Sequence, residues 1–192
     1  MNYSQTSERL SEYRRQIQTL RQEMRQVQAE VEPEPVEDYR FRTPDGEVTL
    51  SALFGDKPEL FVIHNMGKGC PACTLWADGF NGAYEHLRSR AAFVVSSPEA
   101  PERQNKFAQG RGWRFPMVSC QGSRFPQDMG YWRDGPLPGV SVFKRDGSKI
   151  MRVADTSFSP GDDFCNVWHF FDMIPEGAAS WTPKFKYAHE VA

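Results

Sequence analysis

The chain has 192 residues, with 23 Lys and Arg against 25 Asp and Glu, for a formal net charge of −2 at pH 7. The length suits one ordinary domain with an extension, and the balanced charge offers no electrostatic attraction to nucleic acid or to an anionic membrane. A mean hydropathy of −0.62 and apolar runs of only a few residues, such as 60–63, give no candidate for a membrane-spanning helix.

Residues 5–31 carry a helical pattern. Leu10, Tyr13, Ile17, Leu20, Met24, Val27 and Val31 recur at alternating spacings of three and four, an a/d heptad stripe set among Arg, Gln and Glu. Ser7 reads as the N-cap, and Pro33 and Pro35 end the pattern. A stripe this narrow suits a helix–helix seam, so a coiled-coil homodimer is expected. The alternative is an amphipathic helix lying on its own domain. Residues 1–35 are thus expected to be a separate helix, residues 36–177 an α/β domain and residues 178–192 an irregular tail.

The acidic, proline-rich stretch 32–37 (EPEPVE) reads as a linker. Residues 39–50 read as a hairpin turning at Pro44, Asp45 and Gly46. The near-continuous apolar run 60–65 (LFVIHN) is typical of a strand covered on both faces. After a glycine-bearing loop come Cys70, Pro71, Ala72 and Cys73, and then a helix over 71–90, with Pro71 suited to its first turn. A strand follows at 93–96, a helix at 101–109 stopped by Gly110 and Gly112, and a strand at 116–120. Residues 121–137 read as an irregular loop. Residues 139–144 and 148–153 form a second hairpin, and 162–173 a closing helix led by Asp162 and Asp163. A helical crossover implies a parallel strand pair and a tight hairpin an antiparallel one. The predicted fold is a thioredoxin-like mixed sheet flanked by helices.

Four cysteines are present, and the pair Cys70 and Cys73 carries the chemistry. The polar N-terminal stretch lacks the apolar core of a secretory signal, so a cytoplasmic location is expected, where thiols are normally kept reduced. A close cysteine pair in such a chain reads as a redox or metal site. A thiol attacks only as thiolate. Unpaired N–H groups and the dipole at a helix N-terminus lower its pKa, and Lys68 would add to this. Cys70 is then the attacking thiol and Cys73 the resolving thiol. Half of a zinc site is the competing reading, with Cys165 and His169 as the remaining pair. No cofactor and no metal are expected, and Cys120 and Cys165 read as plain buried thiols.

Over residues 60–155 the chain resembles thioredoxin. The segment 137–144 (LPGVSVFK) matches the thioredoxin strand preceded by a cis proline opposite the dithiol. By this resemblance Pro138 is expected to be cis and, with Leu137, to contact substrate beside Cys70 and Cys73. Thioredoxins also bury an Asp six residues before the first cysteine, and His64 occupies that position. An imidazole titrating near neutrality would shuttle protons there, the alternative being a hydrogen-bonded core histidine. Trp76 is the tryptophan expected nearest the site.

More specific matches identify a family. Gly69-Cys70-Pro71-Ala72-Cys73, followed by Trp76-Ala77-Asp78-Gly79-Phe80-Asn81-Gly82, resembles the bacterial thioredoxin-like domain of unknown function 899. The segments 115–119 (FPMVS) and 172–177 (DMIPEG) fit as well. The resemblance covers most of residues 36–177 and implies a thioredoxin fold without a substrate.

The leading expectation is a thiol–disulfide oxidoreductase. It would act on a protein disulfide or small sulfur compound and be recharged by a thioredoxin or a low-molecular-weight thiol. A thiol-dependent peroxide reductase is the second reading. Peroxiredoxins, however, place a Pro and a Thr or Ser ahead of their cysteine, and residues 65–69 (NMGKG) supply neither. A non-catalytic thioredoxin-fold scaffold is the third.

Overall fold

The computed structural model describes residues 2–187. Their contacts divide the chain into two units, Met1–Pro33 and Glu34–Ala192.

The first unit is one helix, α1 (Tyr3–Ala29). It starts before the expected position because Asn2 and Gln5 form a reciprocal capping box. The Gln5 N–H donates to Asn2 Oδ1 at 3.0 Å, and the Asn2 N–H donates to Gln5 Oε1 at 3.1 Å. Two otherwise unpaired helix-end donors are satisfied there, and Ser7 becomes an interior residue. The seven residues of the heptad stripe are all exposed, from 45% at Val31 to 70% at Met24.

The second unit holds one mixed sheet of eight strands: β1 (Glu34–Val36), β2 (Arg40–Thr43), β3 (Gly46–Thr49), β4 (Glu59–His64), β5 (Ala92–Ser97), β6 (Met117–Ser119), β7 (Gly139–Asp146) and β8 (Lys149–Ser157). Their spatial order is β1-β8-β7-β4-β5-β6-β2-β3. Strands β4, β5 and β6 are parallel, and every other pairing is antiparallel. The crossover from β4 to β5 is α2 (Pro71–Arg90), and that from β5 to β6 is α3 (Pro101–Arg111). The unit also holds the short helices α4 (Phe125–Asp128) and α5 (Asn166–Phe171) and a 3-10 turn at Ala52–Phe54.

Alternation along the central strands builds two cores. Leu60, Val62 and Val94 face a layer with Phe41, Phe54, Phe125, Tyr131 and Phe143. Ile63, Phe93 and Val95 face Trp76, Ala77 and Phe80 of α2, together with Phe158 and Trp168. A strand buried on both sides needs apolar residues at every position, which is why 60–63 reads as a continuous run.

Several expectations change in detail. The linker reading of 32–37 gives way at Glu34–Val36, which pairs with β8. This is a sheet edge, where the missing N–H of Pro35 is tolerated. Helix α3 runs through Gly110 and ends at Gly112, whose left-handed φ of 69° suits a C-cap. The closing helix shrinks to Asn166–Phe171 because Asp162 is spent on an Asx turn. Its carboxylate accepts the N–H groups of Ser159 at 3.0 Å and Phe164 at 2.9 Å. The loop 121–137 includes α4, and β7 and β8 run longer than expected with a bulge at Val142/Phe143. Residues 178–187 hold no helix or strand, yet Trp181 packs on Trp168 and Phe171. The rest of the expected tail, 188–192, lies outside the described residues.

Candidate active site

The parallel strand β4 ends at His64, and the chain turns there toward α2. Asn65 shapes the turn: its N–H donates to Ser96 O of β5 at 2.9 Å, and its Oδ1 accepts the Gly67 N–H at 2.8 Å. Gly67 sits at φ 100°, a backbone conformation that favours glycine, and a Cβ there would also crowd the Glu99 side chain at 3.0 Å. A second turn closes when the Cys70 N–H donates to Gly67 O at 3.1 Å, which puts Lys68 and Gly69 at its tip.

Cys70 is the N-cap of α2. Its backbone is extended, and its Sγ accepts the Cys73 N–H at 3.0 Å. The sulfur thus takes the role an Asp or Ser oxygen usually plays at a helix start. Cys73 lies one turn on, and both thiols are free and buried. The Cys70 thiol is lowered to about 7, first by a hydrogen bond from the Cys73 thiol and then by the amides of Cys73 and Ala72, against the opposing effect of burial. Cys73 is pushed far up, because its proton is held by the Cys70 sulfur and because it is buried. One thiol of the pair is therefore ready to attack at neutral pH while the other keeps its proton. Lys68 is exposed and is not among the groups that lower Cys70.

The other two cysteines differ. Burial raises both Cys120 and Cys165, which is inert thiol behaviour. His169 is exposed and faces Asp163 at 3.5 Å. Among the described residues no group of three or more His, Cys, Asp or Glu is arranged to hold a metal ion.

Pro138 requires a correction. Among the described residues every peptide bond is trans, the Leu137–Pro138 bond included. The segment is held in that form from both sides. The Leu137 N–H donates to Tyr131 O at 2.9 Å, and Pro138 O accepts the Phe158 N–H at 3.0 Å. Trans is also the intrinsically favoured form of an X–Pro bond, by about 0.5–1 kcal/mol. Pro138 still reaches the dithiol end: with His64, Asn65, Cys73 and Trp76 it lines a narrow crevice at the end of β4. Gly139 follows it at a point where a Cβ would stand 2.1 Å from Tyr131 Cε1 and 2.6 Å from Thr156 O, so the strand can pass only as glycine. Leu137 is partly exposed and lines a second crevice with Cys120 and Trp132.

His64 also departs from expectation. Alternation turns Ile63 toward α2 and His64 toward the opposite layer. Its ring is stacked between Tyr131 at 3.9 Å and Phe125 at 5.2 Å, and its Nε2 is 2.9 Å from Ser141 Oγ. Burial, with a smaller contribution from Arg152, depresses it to about 3. The imidazole is neutral wherever Cys70 titrates, so it does not take up a proton near pH 7. Trp76 packs on Phe158, and its Nε1 donates to Asp162 Oδ1 at 3.2 Å. Asp162 thereby ties the 158–165 loop to α2. Sequence reasoning assigned Asp162 to a helix start; its only local signal was its Asx-turn propensity. For Asn65, the signal was the glycine two residues on.

A model of the family described as "Bacterial protein of unknown function (DUF899)" matches residues 5–190. The chain belongs to this family. No curated protein matches it. Among solved structures it is similar to peroxidoxin BcpB from Mycobacterium tuberculosis, at 23% identity and a TM-score of 0.56, over 66% of this chain and 86% of that one. A C-to-S mutant of peroxiredoxin Q from Xanthomonas campestris aligns at 16% identity and a TM-score of 0.52, over 62% and 78%. A peroxiredoxin-like protein from Aquifex aeolicus aligns at 15% identity and a TM-score of 0.51, over 65% and 74%. At these identities the likeness shows the fold alone: this DUF899 chain has the thioredoxin-like fold that peroxiredoxins share. Among its described residues no helix is long and apolar enough to cross a membrane.

Two outcomes follow. Alkylation of reduced Cys70 by iodoacetamide is expected to titrate with a midpoint near pH 7. In Cys73→Ala the midpoint should rise toward the ordinary cysteine value of about 8.5, because the thiol donor is gone; an unmoved midpoint would discount that hydrogen bond. For His64, the folded pKa lies below the unfolded one, so its contribution to stability is complete above about pH 6.5 and is lost as pH falls toward 3. Urea denaturation should show a slope of up to about 1.4 kcal/mol per pH unit in that window, reduced in His64→Gln.

Proposed function

We propose that the protein is a thiol–disulfide oxidoreductase in which the Cys70 thiolate attacks and the Cys73 thiol resolves. The observation that carries this reading is the capping contact of the Cys70 sulfur with the first turn of α2, beside a resolving thiol that keeps its proton. Cys70 forms a mixed disulfide with one sulfur of the substrate and expels the other as a thiolate. Cys73 gives up its proton, attacks Cys70 Sγ, releases the second substrate thiol and leaves a Cys70–Cys73 disulfide. A thioredoxin or small thiol then returns the pair to the dithiol. Pro138 and the exposed Leu137 border this end of the sheet and supply substrate contacts, with Trp76 buried behind Pro138 as support, and the reducing cytoplasm suits the cycle.

Reduction of a peroxide by the same thiolate is the second reading, favoured by the peroxiredoxin structures the fold resembles. Against it, residues 65–69 offer no hydroxyl ahead of Cys70, and the Thr74 hydroxyl is engaged with Cys70 O at 3.0 Å. The exposed, narrow a/d stripe of α1 supports a homodimer through a coiled coil, which would bury its seven apolar side chains in a helix–helix seam.

Reduced protein should exchange with a model disulfide faster than it consumes hydrogen peroxide. Cys73→Ser should accumulate a covalent adduct through Cys70, and Cys70→Ser should form none. Peroxide consumption outrunning exchange would reverse the order of the two readings. For the dimer, sedimentation should give twice the chain mass, and Ile17→Glu with Leu20→Glu should give the single-chain mass; equal masses would dismiss the coiled coil.

A further inference from the structure

A groove of about 770 Å³ opens beside the dithiol loop. One wall is Lys68, at the tip of the turn that ends in Cys70. The rest of the lining comes from α3 and from the segment carrying Phe185 and Lys186. Its volume falls within the range typical of small-molecule sites. The floor is aromatic: Phe107 packs edge-on against Phe185 at 6.3 Å and against Trp113 at 5.5 Å.

The charge of this groove departs from that of the chain. Five cations line it (Lys68, Arg103, Lys106, Arg111 and Lys186) against one acid, Glu102, whereas the chain as a whole carries −2. Two of the cations are committed to structure. Arg111 pairs with Asp78 and donates to Phe185 O at 2.7 Å, which fixes the wall, and Arg103 meets Glu99 at 3.4 Å. Lys68, Lys106 and Lys186 make no ion pair among the described residues. A solvated helix face usually intersperses acids with its bases. Three exposed ammonium groups without an ion pair, set around aromatic rings, form a positive concavity, which raises the local concentration of anions.

We propose that this groove holds the anionic arm of the substrate, and that the disulfide reduced by Cys70 is a small one bearing carboxylates or phosphates. The inference rests on the exchange reading given above. Lys68 lies two residues before Cys70, so their Cα atoms are at most about 7 Å apart, and the groove borders the loop that carries the attacking thiol. An arm of peptide length spans that gap. Bound there, it brings one disulfide sulfur to Cys70. The expelled thiolate takes up a proton, and the two electrons gained by the substrate come from the Cys70–Cys73 dithiol as it closes to a disulfide.

The test compares the rate at which reduced protein is oxidised by four disulfides at low salt. They are oxidised glutathione, coenzyme A disulfide, neutral hydroxyethyl disulfide and cationic cystamine. Each rate is divided by the hydroxyethyl disulfide rate on the same protein and by the rate with free dithiothreitol, which removes differences in intrinsic reactivity. The expected result is about a tenfold preference for an anionic disulfide over cystamine. That preference should collapse in 0.5 M sodium chloride and in Lys106→Glu with Lys186→Glu. Whichever anionic disulfide is faster tells carboxylate from phosphate. Equal normalised rates, a preference for cystamine, or a preference unchanged in the double variant would overturn the groove assignment while leaving exchange intact. Failure to react with any of the four would remove the exchange reading and this inference together.

Discussion

Side-chain alternation along β4 is the constraint from which the rest of the site follows. The strand is buried on both faces, so each step of the chain commits one side chain to one layer. Ile63 goes to the α2 layer and His64 to the opposite one. The strand then ends, and the backbone must turn back over the sheet to start α2. That turn, drawn by Asn65 and Gly67, delivers Cys70 to the helix end, where unpaired amides await an acceptor. A shift of one residue in register would exchange the two layers, turning Ile63 away from α2 and His64 toward it.

The pairing of a low thiol with a high one is a second product of the same geometry. Cys70 and Cys73 share one proton between two sulfurs, and the helix end decides which sulfur is left with the negative charge. The outer thiol is favoured because its sulfur sits at the N-cap, where amides converge. Cys120 and Cys165 lack such a partner thiol, and burial outweighs the hydrogen bonds that oppose it. Four cysteines of one chain thus behave in different ways for reasons of position.

Much of this was legible in the residues. The apolar run at 60–63, the proline after Cys70 and the helical pattern to Arg90 mark a strand, a turn and α2, which the structure places at Pro71–Arg90. The Pro44–Asp45 turn of the first hairpin was legible for the same local reason. Long-range competition was not. The Asp162 side chain forms a turn and reaches Trp76, which shortens the closing helix. Pro35 pairs as an edge residue with a strand far away in sequence. The trans form of Pro138 depends on Tyr131 and Phe158, and the neutrality of His64 on two aromatic rings from another layer. The basic groove was invisible as well, because its cations come from a loop, a helix and a distant segment whose local compositions are ordinary.

The aromatic sandwich around His64 has a consequence for how electrons and protons are coupled. An imidazole that stays neutral throughout the working range adds no proton of its own to the chemistry and no change of field at the sheet end. The proton count is then set by the two sulfurs alone. Below the Cys70 midpoint, closing the disulfide releases two protons with two electrons; above it, one proton leaves with the same two electrons. The stoichiometry changes across neutrality, and the driving force for oxidation therefore responds to pH more steeply on the acid side than on the alkaline side.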